Sequence, residues 1–214
     1  MDRRLTWFVA LLLPVFVWSG IGPHDRLTWL LEVFPVLLGV PLILKFHRRF
    51  PLSTLLLVLV WLHCVILVIG GHYTYALVPA GEWAREWFGW TRNNYDKLGH
   101  FAQGFVPAIL TREILLRSSP LRDRGDGQPS AWLPFLVVSV CLAFSAFYEL
   151  IEWWVALLSD EAAEAFLGTQ GYIWDTQSDM AWALGAACLA LALLRRWHDR
   201  SMARITHGRV DASP

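Results

Sequence analysis

Residues 51–70 read PLSTLLLVLVWLHCVILVIG, a stretch of 20 residues without a single Lys, Arg, Asp or Glu. An α-helix rises 1.5 Å per residue, so about 20 apolar residues cross the roughly 30 Å hydrocarbon core of a bilayer. The apolar residues are continuous and do not alternate with polar ones, which favours a helix over a membrane-spanning strand. This stretch therefore predicts a transmembrane helix.

The composition of the whole chain agrees with a membrane protein. Of its 214 residues, 56% are apolar and 17% are charged, whereas soluble domains are about 45–50% apolar and about 25% charged. The 18 basic residues equal the 18 acidic ones, so the positive charge of a nucleic-acid binder is missing. The three cysteines lie in apolar runs without zinc-ligand spacing. The composition excludes a secreted disulfide scaffold and argues against a soluble enzyme.

Five further apolar stretches give a prediction of six spans. The six are residues 5–21, 27–46, 51–70, 98–116, 132–158 and 179–194. The fourth is the weakest, because it carries His100, Gln103, Arg112 and Glu113. We expect an all-α, polytopic helical bundle that forms one integral membrane domain over residues 1–200. A basic, disordered cytoplasmic tail is expected over residues 201–214.

The basic residues predict the orientation of the bundle. With six spans, 14 of the 18 Lys and Arg residues fall on the side of the two termini and 4 on the other side. Loops rich in basic residues stay in the cytoplasm. Both termini are therefore predicted to be cytoplasmic, and the loops 71–96 and 159–178 to face outward.

Ionisable residues concentrate at the outward ends of the predicted spans. Each costs at least ~2.5–3.5 kcal/mol at the centre of a membrane helix, so a group of them indicates a function. The candidate metal ligands are His72, Asp96, His100, Asp175 and Asp179, and the candidate catalytic residues are Lys97, Glu149 and Glu152. Three pairs within this set are three or four residues apart and share a helix face.

Several carboxylates at one depth need positive charge near them. Lys97, Arg92, shared protons, or one or two bound cations could supply it. A mixed set of imidazole and carboxylate ligands suits zinc, manganese or iron. The sequence therefore predicts a candidate divalent-metal site at the outward face.

Other interpretations of these residues stay open at this stage. Asp96 and Asp175 are also placed to cap helix N-termini. Pairing of Lys97 with Asp96 is favoured over a catalytic role for the lysine. Glu32 stands alone in its span, which favours a polar contact between helices.

Four motifs carry a resemblance that covers nearly the whole chain. They are GGHYTY at 70–75, NNYDKLGHFAQGF at 93–105, FSAFYELIEW at 144–153 and GTQGYIWDTQSDM at 168–180. In this order they resemble the YjdF-type inner-membrane proteins. The resemblance implies a bacterial inner (plasma) membrane location and no defined chemistry.

A looser similarity is to VanZ-like membrane proteins. Those proteins share Asp-Lys-x-x-His-Phe, matched by Asp96, Lys97, His100 and Phe101, and a later Glu-x-x-Gln, matched only in part by Glu149 and Glu152. The similarity implies a site on the cell-envelope face and lipid-linked or cell-wall substrates.

Three functions are compatible with these patterns. The first is a metal-dependent enzyme that acts on membrane lipid or a lipid-linked envelope substrate at the outer leaflet. The second is a proton-coupled transporter, since intramembrane carboxylates also build proton relays. The third is a non-catalytic envelope scaffold. No serine nucleophile elbow or Walker loop is present, no nucleic-acid partner is expected, and the oligomeric state is left open.

Overall fold

The structure is a computed structural model that describes residues 2–122, 128–157 and 173–210, without the side chains of 206–210. In these ranges all regular structure is helical, as predicted. The helices are α1 (Arg3–Ser19), α2 (Arg26–Phe46), α3 (Thr54–Tyr73), α4 (Pro79–Phe88), α5 (Tyr95–Ser118), α6 (Trp132–Ala156) and α7 (Asp175–Val210), with short 3₁₀ helices at Tyr75–Leu77 and Pro120–Arg122. Most of the predicted loop 159–178 lies outside the described residues.

The first three helices begin at side-chain caps. Asp2, Asp25 and Ser53 each accept a hydrogen bond from a backbone amide two or three residues later, at 3.0, 2.7 and 3.3 Å. Such caps satisfy amides that have no partner within the helix. The hydrogen bond from the Thr28 amide also lowers the pKa of the Asp25 carboxyl, which lies outside the predicted spans.

Helix α5 lies at the centre of the bundle. It contacts α3, α6 and α7, while α1 and α2 pack against the other side of α3. The core runs through both groups and includes Val33, Leu56, Ile109, Val137 and Ala187, all fully buried. Helix α5, the predicted span with the most polar residues, is therefore the helix that its neighbours bury most.

Helices α5 and α7 approach each other closely at Gly104. A Cβ atom at this position would lie 1.9 Å from the backbone oxygen of Ala183. Ala183, Ala187 and Ala190 of α7 are fully buried. Small residues on both helices allow this close packing, which fixes the first turns of α5 and α7 side by side.

Four of the helices are long and apolar enough to cross a membrane by length and composition. They are α2, α3, α6 and residues Asp175–Ile205 of α7. Helix α1, with 17 residues, and the polar helix α5 fall outside these four. The count of six spans and the cytoplasmic location of both termini stay predictions.

The last helix is longer than the sequence predicted. Helix α7 continues to Val210, so the first ten residues of the predicted disordered tail are helical. Within this extension, the Ser201 hydroxyl accepts a hydrogen bond from the Leu55 amide at 3.1 Å. The contact ties the extension to the start of α3, which gives these residues a packing partner that local sequence does not reveal.

Candidate metal centre

Six of the eight predicted site residues meet at one end of the bundle. The first turns of α5 contribute Asp96, Lys97 and His100, and the first turns of α7 contribute Asp175 and Asp179. Helix α6 contributes Glu149 from its last turns. The close contact at Gly104 brings the α5 and α7 residues together, since His100 and Asp179 each lie one turn before it.

The outermost part of the cluster is an ion-pair layer formed by Arg92, Asp96, Lys97, Asp175 and Asp179. The Lys97 ammonium lies 3.3, 2.5 and 2.7 Å from carboxylate oxygens of Asp96, Asp175 and Asp179. The Arg92 guanidinium lies 3.2 Å from Asp96 and 2.6 Å from Asp175. Burial opposes the charged form of Arg92, but the hydrogen bond to Asp175 and the nearby aspartates raise its pKa overall.

These distances give Asp96 and Asp175 the geometry of counterions. A lysine ammonium has three N–H donors, and the three aspartates of the ion-pair layer lie around it. The sequence favoured pairing of Lys97 with Asp96 over a catalytic role for the lysine. In the structure Lys97 pairs with Asp96 and with two further aspartates. Asp96 and Asp175 were also predicted as metal ligands, and with Asp179 they form a second group whose carboxylate oxygens lie within 4.8 Å of one another; in the structure all three pair with Lys97.

Below the ion-pair layer lies a buried triad of His100, Glu149 and Asp179. One ligand atom from each lies within 4.8 Å of those of the other two. The His100 Nε2 atom is 3.7 Å from Asp179 Oδ2, and its Nδ1 atom is 3.8 Å from Glu149 Oε1. All three residues are less than a tenth exposed, so little water reaches them.

The hydrogen bonds of His100 determine which ring nitrogen is available. Its Nδ1 atom lies 3.0 Å from the side-chain oxygen of Gln103. That oxygen can only accept, so Nδ1 carries the proton and donates it. The lone pair is therefore on Nε2, the nitrogen that faces Asp179. Metal-binding histidines commonly have this arrangement, in which the other ring N–H is held by an acceptor.

Two buried polar groups near the triad have no hydrogen-bond partner among the described residues. Glu149 Oε1 is one, although Thr176 hydrogen-bonds to the same side chain. The hydroxyl of Ser145 is the other, one turn before Glu149 on the same face of α6. Buried polar atoms are nearly always paired, so these two are candidate contacts for a bound ligand.

The charges of this region do not balance within the described residues. Asp96, Asp175, Asp179 and Glu149 carry four carboxyl groups, whereas Lys97 and Arg92 supply two positive charges. The excess corresponds to one divalent cation or two bound protons. The ion-pair layer contains Lys97 and Arg92, whereas the triad contains neither lysine nor arginine.

A second polar group, which the sequence did not predict, lies behind the triad. Glu32 of α2 is 8% exposed and hydrogen-bonds with Tyr75 and Tyr148. Glu152, one turn beyond Glu149 on α6, interacts electrostatically with Glu149 and Glu32. We call these four side chains the tyrosine–glutamate group. Glu32 of α2 therefore makes a polar contact with another helix, through Tyr148 of α6, as its isolated position in the sequence favoured.

The position of Tyr75 depends on unusual backbone next to it. Thr74 has a φ of 63°, a conformation that β-branched residues rarely adopt. The Tyr75 ring then fits between two glycines, because a Cβ at Gly70 or Gly99 would lie 2.7 or 2.8 Å from the ring. The glycines of the GGHYTY and DKLGH motifs thus make space for this ring.

His72 is not part of the cluster. Its Nδ1 atom lies 3.0 Å from the backbone oxygen of Ser19, and its ring packs 4.3 Å from the ring of Trp18. It joins the ends of α1 and α3. The sequence grouped His72 with the other candidate ligands, whereas in the structure it contacts the end of α1.

A cavity of about 870 Å³ lies beside the ion-pair layer. Its polar wall includes Arg92 and Lys97, and its aromatic wall is made of Trp90, Phe101 and Trp182. Trp90 and Trp182 are 43% and 49% exposed, so the cavity reaches the outer surface of the helices. A molecule with a polar head and an apolar tail would match both walls.

The opposite end of α5 carries a separate buried network. Glu113 is fully buried and accepts hydrogen bonds from the Ser53 amide at 2.9 Å and from Arg117 at 2.6 Å. His198 Nε2 lies 2.9 Å from Glu113, and its Nδ1 lies 2.9 Å from Arg112. Because arginine can only donate, His198 accepts at Nδ1 and donates from Nε2. This network fastens α5 to α7 far from the triad.

Comparison with known proteins places the chain among membrane proteins. Residues 4–200 match the family model described as "Predicted membrane protein (DUF2238)". The chain is 52% identical over 190 residues to "Inner membrane protein YjdF" of Escherichia coli (strain K12), covering 89% of this chain and 88% of that protein. No solved structure matches it. The resemblance to YjdF-type proteins is confirmed, and the similarity to VanZ-like proteins stays a prediction.

Proposed function

Because the chain belongs to the family described as "Predicted membrane protein (DUF2238)" and is a membrane protein, we propose that it is a metal-dependent enzyme with its centre at His100, Glu149 and Asp179. One observation carries this proposal. The three buried ligand atoms lie within 4.8 Å of one another, and one oxygen of Glu149 has no partner among the described residues.

One pair of side chains in the triad, His100 and Asp179, has nearly the spacing of two metal ligands. Two ligands at 2.0–2.2 Å from one zinc ion are ~3.4 Å apart in a tetrahedral arrangement. The distance of 3.7 Å between His100 Nε2 and Asp179 Oδ2 needs only a contraction of about 0.3 Å to reach this value. One imidazole and two carboxylates suit zinc, manganese or iron.

Three protein ligands leave coordination positions for water and substrate. A bound divalent ion would polarise a phosphoryl or acyl oxygen and lower the pKa of bound water. Glu152, one turn from Glu149, is the candidate general base. Lys97 is assigned a positioning role, because its ammonium holds Asp179 at 2.7 Å.

The cavity beside the ion-pair layer supports a lipid or lipid-linked substrate. Its volume of about 870 Å³ is within the usual range of ligand sites, about 300–1,000 Å³. Its aromatic lining residues Trp90 and Trp182 are partly exposed and would face the surrounding bilayer, and its lining residue Lys97 lies 2.7 Å from Asp179. A substrate in the membrane would enter sideways, with its head group toward the triad.

The test is metal content, measured by elemental mass spectrometry after the detergent-purified protein is incubated with zinc, manganese or iron and desalted. Wild type is expected to retain one ion per chain, and a folded His100→Ala, Glu149→Ala double variant none. His72→Ala is the matched control, since this histidine lies outside the triad, and it is expected to retain the ion. Equal metal content in wild type and the double variant would contradict the proposal.

Catalysis is tested separately from metal binding. Metal-loaded protein would be incubated with a bacterial lipid extract, and released phosphate or acyl groups would be followed by mass spectrometry. Glu152→Gln is expected to keep the metal and lose turnover. A metal-loaded wild type that changes no lipid would refute the enzyme while leaving the metal site intact.

Proton-coupled transport is a second candidate, favoured by a different observation. Glu149 and Glu152 of α6 continue through the tyrosine–glutamate group to Glu32 of α2. Such a series of carboxyl groups across a bundle is typical of proton relays. Proton uptake into proteoliposomes that is lost in Glu32→Gln, with metal content unchanged, would favour transport over catalysis.

A further inference from the structure

Helix α4 (Pro79–Phe88) differs from the other helices in having two chemically distinct faces. Trp83 and Trp87 are four residues apart and share one face, which Ala80, Ala84 and Phe88 extend. The opposite face carries Glu82, Arg85 and Glu86. A short helix with one aromatic and one charged face is typical of a membrane surface.

The aromatic face of α4 is not covered by the described residues. Trp87, Trp83 and Phe88 are 87%, 69% and 65% exposed. Three aromatic side chains with this exposure would present a large apolar patch to water. Among the described residues, these are among the most exposed large apolar side chains of the molecule.

The roll of α4 about its axis is fixed by a close contact. Gly81 is buried, and a Cβ there would lie 1.9 Å from the side-chain oxygen of Asn93. Asn93 in turn donates a hydrogen bond to the Val78 oxygen at 3.0 Å. With Gly81 held against the protein, Trp83 and Trp87 are directed away from it.

Other exposed tryptophans show where the membrane surface lies. Trp18 near the end of α1, Trp154 near the end of α6 and Trp174 just before α7 are 41%, 47% and 58% exposed. All three lie at the end of the bundle where α3 leads into α4. Tryptophan concentrates at the boundary between head groups and acyl chains, so α4 lies at that boundary.

We propose that α4 lies along the membrane surface at this end of the bundle, with Trp83, Trp87 and Phe88 inserted into the lipid bilayer. The partner is lipid, and the attraction comes from apolar insertion. Glu82 pairs with Arg85 at 2.5 Å and Glu86 adds a negative charge, so the polar face offers no net positive charge to anionic lipids. Binding is therefore expected in zwitterionic bilayers too.

Insertion of α4 would also hold the cavity entrance at the depth of the lipid head groups. The residues directly after α4, from Gly89 to Arg92, form one wall of the cavity. This inference does not depend on the metal or on catalysis, because it rests on α4 alone.

The test is spin-label accessibility in phosphatidylcholine proteoliposomes. Single cysteines would be introduced as Trp83→Cys and Trp87→Cys, and as Glu82→Cys and Arg85→Cys for matched controls on the other face. The background would lack Cys64, Cys141 and Cys188, the cysteines of the chain. Labels at 83 and 87 are expected to collide with oxygen several-fold more often, relative to a water-soluble nickel complex, than labels at 82 and 85.

Two outcomes would overturn the proposal. Equal accessibility to the nickel complex on both faces would place α4 in water. Low accessibility to both reagents at 83 and 87 would show that protein, such as a second copy of the chain, covers the aromatic face. Wild-type tryptophan fluorescence provides a check without labels, since brominated lipids should quench it more than that of a Trp83→Ser, Trp87→Ser variant.

Discussion

Replacing Gly104 with alanine is expected to separate α5 from α7 and so to prevent metal binding without changing a ligand. A Cβ atom at residue 104 would lie 1.9 Å from the Ala183 oxygen. A carbon and a carbonyl oxygen in contact are about 3.3 Å apart, so the helices must separate by about 1.4 Å. Overpacking of this kind costs roughly 1–3 kcal/mol of folding free energy.

The same separation reaches the triad, because His100 and Asp179 each lie one turn before the contact. If the helices move as rigid bodies, the 3.7 Å between these side chains becomes about 5.1 Å. Two ligands of one ion need ~3.4 Å. Gly104→Ala should therefore bind markedly less metal and unfold at a lower temperature in detergent.

The control is Gly185→Ala, which makes the same chemical change on α7. No atom lies within 4 Å of a Cβ at residue 185, and alanine favours a helix over glycine by up to about 1 kcal/mol. This variant should equal wild type in metal content and match or exceed its stability. If Gly104→Ala behaved like Gly185→Ala in both measurements, the packing argument and its link to the triad would be refuted.

Two further predictions concern residues outside the triad. Glu113→Gln should lower the free energy of unfolding by about 3 kcal/mol, because it leaves Arg117 without its buried countercharge, while metal content stays at the wild-type level; an unchanged denaturation midpoint would contradict this. Asp25→Ala should cost about 1 kcal/mol through loss of the α2 cap. The pKa of Asp25 is lower in the folded state than its unfolded value of about 3.9. The stability that the Asp25 carboxylate contributes is therefore fully present above pH ~3.9 and is lost as the pH falls through the folded-state pKa. Melting temperatures of wild type and Asp25→Ala should therefore converge at acidic pH, and a constant difference across pH would count against the cap.

The sequence alone predicted the six long helices, and it named six residues that meet in the cluster, for physical reasons that are local; it did not predict α4 (Pro79–Phe88), which lies in the expected loop 71–96. Apolar runs such as 54–73 have the length of a span, and pairs such as Asp96 and His100 share a helix face whatever surrounds them. The sequence could not predict that Glu32 joins Glu152 or that His72 lies apart, because these depend on which helices are neighbours.

The sequence could not predict the network at the other end of α5 either, because this network also depends on which helices are neighbours. Glu113 and His198 are 85 residues apart, and neither belongs to a recognisable motif. Arg112 and Glu113 were noticed as a weakness of the fourth predicted span. In the structure they are what attaches that helix to α7.

The charged networks at the two ends of α5 have a consequence for how the chain enters the membrane during synthesis. Arginine, glutamate and lysine side chains keep an isolated helix of this composition from partitioning into lipid. Their partners, Asp175, Asp179 and His198, all belong to α7, which follows α5 in the chain. Helix α5 therefore acquires partners for these side chains only after α7 has been made, so the pairing of the two helices is a late step of folding.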